Sequence, residues 1–145
     1  MDVIIYKVGE KVYRTVCAEG VDINAEAKKV VPDGVTFKII NNDLMPSHVF
    51  RSAWDFDGSE VDVDIEKGKE VCHRIRRIKR DEAMADNLDI VQRNAAGIPL
   101  APGEDATAAA NANASYKANV DDVAQSAIES ATTETELLDA IKDFL

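Results

Sequence analysis

Short apolar runs punctuated by glycine and polar residues open the chain. Val3-Ile4-Ile5-Tyr6 and Val12-Tyr13-Arg14-Thr15-Val16-Cys17 are rich in β-branched and aromatic side chains. Between them Lys7-Val8-Gly9-Glu10-Lys11 supplies a glycine turn, so the two runs predict a β-hairpin. Asp22 or Asn24 can then cap a short helix over residues 25–30, which Pro32 and Gly34 stop. Val35-Thr36-Phe37-Lys38-Ile39-Ile40 predicts a third strand, with Val35, Phe37 and Ile39 on one face. The first 41 residues therefore read as a β-β-α-β unit, in which a helix covers one face of a small sheet.

Residues 41–47 form a loop with Pro46, and residues 50–56 carry the single tryptophan, Trp54, between Phe50 and Phe56. Asp57-Gly58 is the strongest hairpin-type turn in the chain, followed by Val61, Val63 and Ile65 at strand spacing. A long helix is predicted from near Asp64, a suitable N-cap, to about Ala95, where Gly97 and Pro99 end it. Gly68 disfavours a helix interior by about 1 kcal/mol relative to Ala, which moves the expected start beyond it. Val71, Ile75, Ile78, Ala85 and Leu88 make an apolar stripe at helical spacing, with Arg and Lys opposite. Residues 97–118 read as a Pro/Gly and then Ala/Asn-rich linker, partly helical and loosely attached, because Ala alone buries too little to hold a helix in place. A helical segment over 119–145 follows: one short amphipathic helix capped by Asn119 or Asp121, and a last one opened by the capping box Thr133-Glu134-Thr135-Glu136. The expected fold is α+β, with a core domain over 1–96, a linker over 97–118 and a helical tail over 119–145.

The totals narrow the reading. The formal net charge of the 145 residues is −10. Residues 1–80 carry 14 basic and 14 acidic side chains, whereas residues 81–145 carry 3 and 13, so the excess sits in the second half. This argues against a general nucleic-acid binder and for solubility or a basic partner. No apolar stretch approaches the roughly 18 residues that span a bilayer, and Met1-Asp2 leads straight into a strand-like run without a basic leader. A non-secreted protein with Cys17 and Cys72 reduced is the expectation.

Candidate chemistry is sparse. Adjacent Cys72 and His73 would point about 100° apart on a helix, and the only other histidine is His48, so a structural role is favoured over metal binding or nucleophilic attack. From Asp55, the sixth position of a calcium loop holds Glu60 instead of glycine, although the twelfth is Glu66. Alternate carboxylates there read as solvent-facing, with one capping a helix. Arg74, Arg76, Arg77, Lys79 and Arg80 put +5 within eight residues. Without interleaved aromatics they suit a solvated or paired helix face, neutralised within the chain or between copies, better than nucleic acid. Trp54, among Phe50 and Phe56, reads more readily as core than as a ligand platform, yet Trp54 and Phe56 form one candidate contact region. The apolar stripe Leu137, Leu138, Ile141, Phe144 and Leu145 forms another, since five large apolar residues must be covered by the chain itself or by a partner. No catalytic residue, metal site or cofactor is expected.

Residues 31–40, Val31-Pro32-Asp33-Gly34-Val35-Thr36-Phe37-Lys38-Ile39-Ile40, resemble a family of small tailed-bacteriophage proteins. The likeness continues through Leu44-Met45-Pro46-Ser47, Phe50-Arg51-Ser52-Ala53-Trp54 and residues 63–70, and ends at Cys72-His73-Arg74-Ile75-Arg76. It covers about residues 30–80, and the acidic segment from Ala106 to Leu145 departs from it. The family resembles tail-fibre assembly proteins and other virion or tail products. The resemblance implies a tail or tail-fibre accessory protein acting by protein–protein contact, as an assembly chaperone or minor virion component. The alternative is a stoichiometric virion subunit, such as a capsid decoration or head–tail junction protein. Expected partners are phage tail, fibre or capsid proteins, with a homo-oligomer possible and neither membrane nor nucleic acid involved. The expected location is the host cytoplasm during assembly, with retention in the virion as a variant.

Overall fold

A computed structural model describes all 145 residues, Met1–Leu145. They have the expected α+β class and divide into two compact units, Met1–Val71 and Cys72–Leu145.

In the first unit, strands β1 (Asp2–Val8) and β2 (Lys11–Val16) form the expected hairpin, with Val3 opposite Val16 and Val8 opposite Lys11. Gly9 turns it at φ +62°, a left-handed conformation that only glycine adopts without steric cost. Helix α1 (Ile23–Val30) starts at Asp22, whose carboxylate accepts from the Asn24 and Ala25 amides. Strand β3 (Phe37–Asn41) begins two residues later than expected and pairs antiparallel with β1, giving the order β2-β1-β3. Central strand β1 is covered on both faces, which is why Val3, Ile4, Ile5 and Tyr6 read as an unbroken apolar run. Ile4 and Tyr6 pack with Ala27 of α1, while the Tyr6 and Tyr13 rings stack across the hairpin at 5.1 Å.

Residues His48–Ala53 coil as 3-10 turns and lead into β4 (Trp54–Phe56), which pairs with β5 (Val61–Val63). The turn between them is held by Asp57, whose carboxylate accepts from the Ser59 and Glu60 amides, with Gly58 at φ +96°. Long helix α2 (Ile65–Ala95) starts before Gly68, and Asp64 accepts from the Lys67 amide as its cap. A buried Gly68 in the first turn costs little propensity where the capping bond already fixes the backbone.

The unit boundary falls inside α2, not at residue 96. From Cys72 onward the helix packs with C-terminal elements instead of hanging off the sheet. Residues 97–118 are not a loose linker. They contain helix α3 (Ala106–Tyr116), capped by Asp105 through the Ala108 amide. Buried Asn113 ties α3 down: its Nδ2 donates to the Met84 carbonyl at 3.2 Å, and its Oδ1 accepts from Asn87 Nδ2 at 3.2 Å. The small side chain of Ala109 lies buried one turn earlier. A wider π turn, Lys117–Asp121, carries the helix on into α4 (Asp122–Ser130) without a break. Neither Asn119 nor Asp121 therefore caps α4, because no free helix start exists there. Helix α5 (Glu134–Ile141) opens as expected on Thr133, whose hydroxyl accepts from the Glu136 amide. The Glu136 carboxylate reaches back one residue further than expected, to the Thr132 amide at 2.6 Å.

Candidate contact surfaces

The proposed contact residues separate sharply by burial. Trp54 and Phe56 are buried, and the Trp54 indole donates to the Ser47 carbonyl, so both belong to the core of the first unit, with Trp54 showing only 3% of its surface where it lines an open groove beside Val8 and Val12. Leu137 and Ile141 are fully buried in the second unit, where the Leu137 carbonyl also accepts from the Cys72 thiol at 3.8 Å. Leu138 and Phe144 are half-buried, and Leu145 is 66% exposed. Of the terminal stripe, Leu145 is open and Leu138 and Phe144 are partly so, because α5 turns Leu137 and Ile141 into its own unit.

The basic cluster divides in the same way. Arg76 is not solvated: its guanidinium bonds Asp121 at 2.6 Å, with side-chain exposures of 6% and 1%. Arg76 Nε also donates to His73 Nδ1 at 3.4 Å. Lys79 pairs with Glu82 and Arg80 with Asp81 on the surface. Arg74 and Arg77 are exposed and form no ion pair.

The expected facing of α2 holds only at its start, where Val71 is buried and Ile75 half-buried. Ile78, Ala85 and Leu88 point to solvent, whereas Cys72 and Arg76 are buried and Asn87 reaches Asn113. Positions 72, 76 and 87 lie on one side at 100° per residue, and 74, 78, 85 and 88 lie on the other. The apolar residues of α2 alone point to a different inner face. Polar partners on α3 and at Asp121 decided its facing, and the one early signal was that these partners, Asn113 and Asp121, sit in a segment otherwise poor in large side chains.

Of the open grooves that border exposed apolar groups, one adjoins β3 and another the terminal helix. In the first unit, β3 is an edge strand paired only with β1. It borders a groove of about 450 Å³, shared with residues 59–62 and with Leu44, which is 74% exposed. In the second unit, α4 and α5 flank a groove of about 280 Å³ floored by Val120, Ala124, Ala127 and Ala140. Val123 (60% exposed) and Phe144 border it, with Asp139 and Asp143 on its rim.

Titratable chemistry at these sites is mild. Lys7 holds the Asp55 carboxyl below its ordinary range through a 2.6 Å hydrogen bond, helped by the Phe56 amide. Burial pushes the Cys72 thiol up to about 11, which keeps it protonated and poorly nucleophilic at neutral pH. No group of three or more His, Cys, Asp or Glu side chains is placed to hold a metal ion, and no helix is long and apolar enough to cross a membrane. No family model, curated protein or solved structure matches the chain.

Proposed function

We propose that this chain is a tailed-bacteriophage accessory protein that works by protein–protein contact during tail or tail-fibre assembly. It acts in the host cytoplasm, as a chaperone or as a minor component carried into the particle. The observation that carries this reading is the position of the phage-like residues. Residues 38–41 and 44 border one open groove, beside an unpaired strand edge. An extended segment of a tail or fibre protein can add to the β3 edge through its backbone and set an apolar side chain against Leu44. The contact surface is thus displaced from Trp54, which is core, to the strand that precedes it.

Co-purification of the intact chain with tail and fibre proteins tests the reading. The intact chain is expected to retain one of them, and Leu44→Asp, which changes an exposed residue and leaves the core untouched, to weaken retention roughly tenfold. Equal failure of both proteins to retain any tail, fibre or capsid protein would remove the proposal. Mass spectrometry of purified particles then separates a departing chaperone, which is absent, from a stoichiometric virion subunit, which is abundant.

A further inference from the structure

Arg74, Arg77 and Ile78 occupy i, i+3 and i+4 of α2, so they share one outward face. Ile78 is 51% exposed beside two guanidinium groups that have no partner in their own chain. The α4–α5 groove is the inverse of this patch. Its floor is apolar, and Asp139 and Asp143 stand on its rim. The cation nearest in sequence, Lys142, is already bonded to Asp139 at 2.9 Å on the exposed surface. Exposed pairs of this kind hold little free energy and exchange readily.

We propose that the α4–α5 groove of one copy receives the Arg74–Arg77–Ile78 face of a second copy of this chain. Ile78 enters against Val123, Ala127 and Phe144, while Arg74 and Arg77 meet Asp139 and Asp143. Both patches lie in the same unit, so every copy carries one donor and one acceptor. The contact either closes as a two-fold pair, in which each groove is filled, or continues from copy to copy. A chain of net charge −10 repels its own kind, so self-association requires a local match of sign, and this pair of patches supplies one. The inference goes beyond the tail-assembly reading and stands or falls separately from it.

Light scattering on the full chain, over a concentration series reaching roughly 100 μM, reads the outcome. The expected mass rises to at least twice the 15.8 kDa of a single chain. Arg74→Glu with Arg77→Glu, or Asp139→Arg with Asp143→Arg, returns each variant to the single-chain mass, with unchanged circular dichroism. These are exposed side chains, so folding should survive. Mixing the two variants one to one restores the larger species, because each reversed patch then meets its reversed complement. Three results would overturn the proposal: a wild-type chain that stays at 15.8 kDa throughout, an oligomer indifferent to either reversal, or a mixture that does not recover. A wild-type chain that stays single while binding a basic amphipathic helical peptide assigns the groove to a foreign helix, and also overturns it.

Discussion

Arg76 and Asp121 meet at 2.6 Å almost without access to water. Removing two charges from solvent is expensive, and only the short contact, with a further bond from Arg76 to His73, offsets it. The pair therefore contributes little net stability as a unit, yet either member alone would be costly. Asp121→Ala should destabilise the protein by about 3–5 kcal/mol, whereas Arg76→Met combined with Asp121→Leu should lose far less, as read from urea unfolding midpoints. Equal losses in the single and double variants would contradict this account. Cys72 gives a pH-dependent expectation. Its folded thiol titrates near 11 instead of its ordinary 9.0, because burial disfavours the thiolate. Below pH 9 both states hold the proton, and between 9 and 11 the unfolded chain releases it first. Stability from this group must then fall as pH rises through that window and level off above it. Thermal melts of wild type and Cys72→Ala, measured on either side of the window, should differ most on the neutral side; a constant difference would exclude the linkage.

At the level of elements, several caps and glycine turns mark boundaries directly. The Asp22, Asp64 and Thr133 caps and the Gly9 and Gly58 turns all sit at element boundaries in the structure. Helix α3 carried no such amphipathic signal, since Ala and Asn dominate it. What holds it is one amide: Asn113 satisfies donor and acceptor against α2, and a buried amide left half-paired costs about 1–3 kcal/mol. Asn113→Ala should lower stability by about that amount and selectively accelerate amide exchange across residues 106–116. Uniform exchange in the variant would mean that Ala packing alone fixes the helix. The facing of α2 has the same origin. Its apolar residues suggested an inward stripe at Ile78, Ala85 and Leu88, but Arg76, Cys72 and Asn87 take that place because their partners lie on the elements packed there.

For the whole molecule, the charge reads differently once the units are known. Along the sequence, the excess −10 lies after residue 80. Divided at Val71, the first unit holds 9 basic and 14 acidic side chains and the second 8 and 13, so each carries −5. The basic stretch from Arg74 to Arg80 shares a unit with the acidic tail, which is what allows one copy to present both signs of surface to another. The α+β class, the β-β-α-β start, the long helix and the capped last helix are all legible in the residues. Those features follow from side-chain period, turn residues and caps, which act within a few positions of the chain. Long-range packing sets where the units divide, that the Ala/Asn segment packs, that Leu137 and Ile141 are core with Trp54 and Phe56, and which face of α2 meets solvent along most of its length. The facing of α2 and the packing of the Ala/Asn segment depend on polar partners from 26 to 65 residues away, as in Asn87–Asn113 and Cys72–Leu137, and no local period encodes such a distance.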